Sequence, residues 1–270
     1  MYPRLSVRSM HVGVLGADPL CLPWATTRDC PYRSMTASRT VSNKRIYRTF
    51  IHKDAAYRIC CDRYDVVVAA IIRQRQILED YIERHPDVGS SFEPLDITDD
   101  APLIAQRMAK AARLVGVGPM AAVAGAMAQC AVEAGLKAGA KEAIVDNGGD
   151  IYLRVAGPII IGLDSGRAEL ADRLAFSLGS GDTPLAICSS SGRMGHSTSL
   201  GRCDLATVVS KDAALADAAA TRAGNLVRTI ENVDGALDKI ANIEGVDGVI
   251  IVKEARVGLA GQLPPLVKIQ

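Results

Sequence analysis

The chain has 270 residues, of which 49% are hydrophobic, 23% charged and only 4% aromatic, with a formal net charge of +1. That length can bury a substantial core, and so even a charge balance argues against a dedicated nucleic-acid binder. No unbroken apolar run reaches the ~18–20 residues of a membrane span, and the N-terminus lacks the apolar stretch of a signal peptide, so a cytoplasmic protein with neither nucleic-acid nor membrane partners is expected.

With aromatics scarce, alanine, valine and isoleucine must do most of the packing. The seven cysteines show no CxxC and no Cys/His spacing of a zinc site. An odd number, several in apolar surroundings, suits reduced thiols. Cys60 and Cys61 would face opposite sides of a strand and read as packing residues rather than a redox pair.

Residues 1–42 show no sustained periodicity and mix Pro, Arg, Cys and Ser. They read as a disordered or misassigned N-terminal extension, with Met35 an internal start and the folded unit covering residues 43–270. Arg45–His52 and Ala56–Cys61 predict two strands around a Lys53-Asp54 turn. Asp65–Arg84 repeats apolar residues at helical spacing, from Val67 and Ile71 to Leu78 and Ile82. His85–Ala101 reads as a loop whose Asp99 or Asp100 caps a helix over Pro102–Leu114. The alternative for Asp96, Asp99 and Asp100, a metal cluster, is the weaker reading. Gly116–Gly118 interrupts, and Pro119–Lys137 predicts a helix of small residues. Its start suits either tight helix packing or an anion.

Lys141–Val155 reads as strand, turn, strand, with Asn147-Gly148 the turn pair. Pro158–Leu163 should extend the same sheet, and Arg167–Leu178 reads as a short helix. Pro184–Cys188 leads into a stretch that organises the rest. Cys188–Gly201 is a polar loop dense in Ser, Thr and Gly, Leu205–Ser210 a short strand, and Lys211–Asn225 an alanine-rich helix continuing to about Arg228. Within that helix Asp217 and Thr221 stand four residues apart, on one face and one turn from each other. An acid and a hydroxyl so placed can hold one oxygen-seeking cation, and Mg2+ is the natural candidate. The alternative is a solvent-facing polar pair. Against it, Asp217 lies in the apolar run AALADAAA, where a lone acid tends to be buried and paired. A helix over Asp234–Asn242, a buried strand over Gly248–Lys253 and a tail containing Pro264-Pro265 complete the chain.

Two other chemistries fail on spacing. Gly195–Ser199 begins like a nucleophile elbow but lacks its closing glycine. Gly116-Val117-Gly118 has neither the third glycine nor the preceding strand of a dinucleotide-binding fingerprint.

Four segments, VGPMAAVAGA, DNGGDI, SSSG with GHS after it, and KDAALADAAAT, resemble in the same order the signatures of the ApbE-like superfamily, and of its UPF-type branch in particular. The resemblance spans roughly Lys44–Gln270. It implies an α+β, T-fold-related architecture of antiparallel sheets packed by helices. It implies Mg2+ as cofactor, FAD or a related nucleotide diphosphate as ligand, and transfer of FMN to a Thr of a protein acceptor. Asp217 and Thr221 match the family's metal-holding acid and hydroxyl. Asn147, Gly148, Gly149 and Asp150 match the turn beside the flavin nucleotide. Ser190, Ser191, Gly192 and His196 match a Ser-Gly…His segment near the ligand, and His196 is the candidate for a proton transfer, since its side chain titrates near neutrality. The segment that reads GGIAKG-like in flavin transferases is GPMAAVAGAM here, without a lysine between Gly116 and Leu136. A flavin- or nucleotide-binding protein that lacks transferase activity is therefore the alternative. Alanine-rich helices and paired sheets suit a homodimer.

Overall fold

Successive side chains of a strand point to opposite faces, so a strand buried on both faces reads as an unbroken apolar run. Several strands of this chain do, and they form the middle layer of the protein. A computed structural model describes residues 45–163, 174–191 and 202–268, together with the two-residue strand β1 (Asp18–Pro19).

The hairpin β2 (Arg48–His52) and β3 (Ala55–Cys61) turns on Lys53, which has a φ of 54°. Helix α1 (Tyr64–Arg84) follows and buries Val67, Ile71, Leu78 and Tyr81. A short helix, α2 (Pro86–Ser90), lies inside the expected loop. Helix α3 (Leu103–Val115) starts on Pro102 without a side-chain cap and ends on Gly116 in the left-handed region. Neither Asp99 nor Asp100 caps it. Asp100 instead takes a hydrogen bond from Thr98, and Asp96 pairs with Arg113 at 2.8 Å.

A 3-10 turn (Pro119–Ala122) leads into α4 (Val123–Lys137). By length and average composition Pro119–Lys137 could cross a membrane, but half of the stretch is buried inside the protein. It packs against α1, α5, β4 and β5 as a core helix. Strands β4 (Ala143–Asn147) and β5 (Asp150–Arg154) form the expected hairpin. Next come β6 (Ile159–Leu163), β7 (Leu174–Leu178), β8 (Leu185–Ser190) and β9 (Leu205–Ser210). Helices α5 (Ala213–Leu226) and α6 (Asn232–Ala241) precede β10 (Val246–Lys253), β11 (Arg256–Gly261) and β12 (Leu266–Lys268).

Eight strands form one antiparallel sheet in the order β11-β10-β9-β8-β5-β4-β3-β2, and four form a second in the order β1-β12-β7-β6. Ala143, Val145, Tyr152, Ala186, Cys188, Ala206 and Val208 turn to the helices. Their neighbours Ile144, Ile151, Leu153, Leu185, Ile187 and Val209 pack with the smaller sheet around Phe176. The large sheet thus has helices on one face and a sheet on the other.

Two further expectations change. Strand β6 does not extend the sheet of β4 and β5 but pairs with β7 in the second one. Leu174–Leu178 is strand rather than helix, because Leu174, Phe176 and Leu178 at period two fill the sandwich core. Sequence reasoning assigned no strand to the tail. Strands β11 and β12 edge the large sheet and join the small one. The α+β class with antiparallel sheets packed by helices stands. Of the cysteines, Cys60, Cys61, Cys130, Cys188 and Cys203 are free thiols, and burial pushes the Cys60 thiol up to about 11.

Candidate functional site

The turn between β4 and β5 consists of Gly148 and Gly149, with φ of 70° and 109°, closed by the pair Asn147–Asp150. The turn pair is therefore Gly148-Gly149, not Asn147-Gly148. Two central residues at positive φ match the right-handed twist of a hairpin, and glycine adopts that conformation without penalty. The second glycine follows from the turn itself. Asp146 holds the turn from below, accepting a hydrogen bond from the Gly149 N–H at 2.9 Å.

Counting by twos from this turn, Asn147 and Asp150 face the helices. Asn147 is buried and donates to the Ala124 carbonyl at 3.2 Å, tying the turn to the N-terminus of α4. Asp150 is buried, and its Oδ1 has no hydrogen-bond partner. It lies across from Cys188 in the β5–β8 ladder. Ser190 is also buried on the helix-facing side of β8, while Ser189 on the opposite face shares a 2.8 Å hydrogen bond with Thr207.

Helix α5 begins with Asp212, whose Oδ1 accepts from the Leu215 N–H at 3.1 Å. This cap fixes where the first turn starts, and Asp217 then points between α5 and α4. Its Oδ2 accepts from the Gly125 N–H at 2.9 Å, and the Ala124 N–H also reaches the carboxylate. A Cβ on Gly125 would stand 2.1 Å from the Ala213 carbonyl oxygen. Only glycine lets the two helices approach this closely. Thr221 is one turn further along α5, half-buried.

Asp150 and Asp217 share one electrostatic environment. Burial pushes the Asp217 carboxyl up to about 7, against the pull of the Gly125 and Ala124 N–H groups. Burial, then the charge of Asp217, then that of Asp146 hold Asp150 well above the usual carboxylate range. Two buried carboxylates in one site titrate as a pair, and both ionise only when a positive charge joins them. Among the described residues no three His, Cys, Asp or Glu side chains converge to hold a metal. The protein donors to a cation would be the two carboxylates, with Thr221 one turn along α5 from Asp217. Mg2+ characteristically takes one or two carboxylates and completes its shell with phosphate and water oxygens, so the donor set fits that ion.

The structure ties Asn147 to the start of α4, puts Asp150 within the electrostatic reach of Asp217, buries Ser190 on the same face of the sheet and makes Gly148-Gly149 the turn between Asn147 and Asp150, while Thr221 lies one turn along α5 from Asp217. Ser191 is the last described residue of this stretch, and Gly192 and His196 lie outside the described residues. Sequence reasoning placed Asp150 with the nucleotide and missed that it stands with Asp217. It also missed Gly125 and Cys188. The signals were present in the small residues of VAGA and the cysteine opening CSSSG, but only the packing of α4 against α5 gives them meaning.

The family model described as AbpE bacteria matches residues 52–239. A UPF0280 protein of Archaeoglobus fulgidus is 42% identical over 212 residues, covering 75% of this chain and 85% of that protein. A UPF0280 protein of Methanococcus maripaludis is 41% identical over 202 residues, covering 73% and 82%. Among solved structures, the flavin transferase ApbE from Vibrio cholerae shares the fold with a TM-score of 0.51 at 11% identity, over 81% of this chain and 97% of that one. The flavinyl transferase ApbE of Pseudomonas stutzeri in its apo form gives a TM-score of 0.51 at 10% identity, over 81% and 94%. With its four segments in order and its fold and family model in agreement, the chain belongs to the ApbE-like family, in the branch of the UPF0280 proteins.

Proposed function

We propose that this protein binds a flavin nucleotide diphosphate, FAD foremost, together with Mg2+, and transfers FMN from it to a threonine of a protein acceptor. The reading rests on the buried pair Asp150–Asp217 with its orphaned oxygen, beside the glycine turn and the hydroxyls of Ser190 and Thr221. When bound, Mg2+ would supply positive charge against the phosphoryl oxygens of the diphosphate. Asp150 and Asp217 would hold it as anionic ligands, and Thr221 would add a neutral oxygen. The bare backbone of Gly148-Gly149 lets a ligand approach the end of the sheet closely. In the transfer, the threonine oxygen forms a bond to the FMN phosphorus, the phosphoanhydride bond breaks, AMP leaves, and the hydroxyl proton is released. His196 is the residue proposed to accept it.

A second reading keeps the pocket and drops the transfer. Two observations favour it: no lysine lies between Gly116 and Leu136, and the N–H groups of Ala124 and Gly125 at the start of α4 are engaged by Asp217 rather than left for a phosphate. Calorimetric titration of the whole chain with FAD, FMN and ADP, with and without Mg2+, tests the binding. Mg2+-dependent FAD binding is expected, and equal binding without the ion would remove the cation from the reading. Incubation with a threonine peptide then separates the two functions. AMP release with a peptide mass gain of one FMN supports transfer, while binding without AMP leaves a non-catalytic flavin protein.

A further inference from the structure

Asn147 and Asp150 pair across the Gly148-Gly149 turn, and both are buried on the face turned to the helices. A carboxamide taken out of water needs hydrogen-bond partners, and Asn147 Nδ2 donates to the Ala124 carbonyl at 3.2 Å. The acceptor fixes the orientation of the side chain, because a carbonyl oxygen can be met only by the amide nitrogen. That carbonyl belongs to the same peptide group as the Gly125 N–H, which donates to Asp217 Oδ2 at 2.9 Å. Gly125 is the third residue of α4, so its N–H is one of those that the helix's own ladder leaves free. A single peptide group is thus held on both sides by side chains, from the turn through its oxygen and from α5 through its nitrogen.

We propose that Asn147 is a positioning residue for Asp217: it clamps the Ala124–Gly125 peptide so that the Gly125 N–H meets Asp217 Oδ2 and fixes that carboxylate for a cation. This rests on the cation reading above. By resemblance alone Asn147 is a contact to the nucleotide, whereas its amide is turned to the peptide instead. The end of one hairpin then sets both acids, Asp150 as part of it and Asp217 through the peptide. A carboxamide suits the place for two reasons. An aspartate there would set an acceptor against the carbonyl and add a third acid beside Asp150 and Asp217. A hydrogen bond to the carbonyl also polarises the peptide and strengthens its N–H as a donor, so the clamp both aims the contact with Asp217 and reinforces it.

The test uses the whole chain, Mn2+ as the titrated probe, and two variants that remove the clamp in opposite ways. Asn147→Leu keeps the volume without a donor, and Asn147→Ser keeps a hydroxyl that is one bond too short to reach the carbonyl. Loss of a group that orients a metal ligand typically weakens affinity about 10-fold or more, so both variants are expected to bind Mn2+ that much less tightly. Unchanged affinity in Asn147→Leu would overturn the proposal, whatever Asn147→Ser does, because the residue would then only fill space. A second readout needs no metal. A charge-assisted hydrogen bond draws an amide proton resonance downfield, so the Gly125 amide signal of the isotope-labelled protein is expected to move upfield in both variants. Asp217→Asn, which leaves a neutral acceptor, calibrates that direction. A Gly125 signal that stays put would show that the helix alone holds the peptide, and would overturn the proposal. Should Asn147→Leu fail to fold, Asn147→Ser decides by the same signal. If the unaltered protein binds no Mn2+, the cation reading fails, and the Gly125 signal still decides whether Asn147 acts on Asp217.

Discussion

Asp217 has neighbours of opposite electrostatic sign, the N–H groups of Ala124 and Gly125 on one side and the carboxylate of Asp150 on the other. Burial outweighs the N–H groups and lifts its pKa to about 7. A carboxyl whose folded pKa exceeds its unfolded value of about 3.9 holds its proton more tightly in the folded state. It therefore favours folding most at low pH, and that contribution declines as pH rises from about 4 to about 7. The metal-free protein should lose stability across that window, and thermal denaturation as a function of pH measures it. Asp217→Asn should flatten the slope and stabilise the metal-free protein at pH 8 by on the order of 1 kcal/mol, while losing Mg2+-dependent ligand binding. A variant that keeps both the slope and the binding would remove Asp217 from the site. For the same reason Mg2+ should raise the melting temperature more at pH 8 than at pH 5, where protons compete for the pair.

At the scale of elements, two glycines set the site. Gly125 permits the contact between α4 and α5 that gives Asp217 its N–H partners. Gly125→Ala puts a methyl group where the Ala213 carbonyl stands, so the helices must separate. Overpacking of this kind costs about 1–3 kcal/mol, measurable by urea denaturation, and Mg2+-dependent binding should fall with it. Gly149→Ala meets open space instead, since the nearest atom to an added Cβ is 4.0 Å away. Its φ of 109° is the obstacle, with a cost of about 1–2 kcal/mol. The two variants thus separate crowding from backbone conformation. Much of this was legible in the sequence. The helical spacing of α1, the limits of β9, and the Asp217/Thr221 pair were all readable, because each is written in residues close together in the chain. The turn was misplaced by one residue, since a glycine pair permits two registers and only the pairing of Asn147 with Asp150 chooses.

At the scale of the molecule, the large sheet separates two cores with different tasks. The helix-side core adjoins the candidate site, and the core around Phe176 lies on the opposite face of the sheet. Phe176→Ala should cost about 3–5 kcal/mol, as for a buried aromatic truncated in a hydrophobic core. Ligand binding by the folded fraction should be unchanged, which chemical denaturation paired with calorimetry would show. Arg45 closes the other end of the unit with a two-pronged pair to Glu142, 2.7 Å on each arm, and hydrogen bonds to the carbonyls of Gly157 and Pro158. That attachment begins just after the expected extension. A chain starting at Lys44 keeps this attachment and loses only the two-residue strand β1 with its pairing to β12, so it should melt within a few degrees of the whole protein, and a much larger fall would show that β1 supports the small sheet.

The hairpin of β2 and β3, the helices α1 and α5, the limits of β9 and the placing of the acid and hydroxyl on one face of α5 were legible in the sequence alone, because periodicity and capping act over a few neighbouring residues. The division into two sheets, the strand over Leu174–Leu178 and the pairing of Asp150 with Asp217 were decided only by the tertiary structure. A short apolar run is equally compatible with helix and strand until a partner face exists to bury it. Asp150 and Asp217 are 67 positions apart in the chain, and a buried charge gains its meaning from whatever the fold brings beside it.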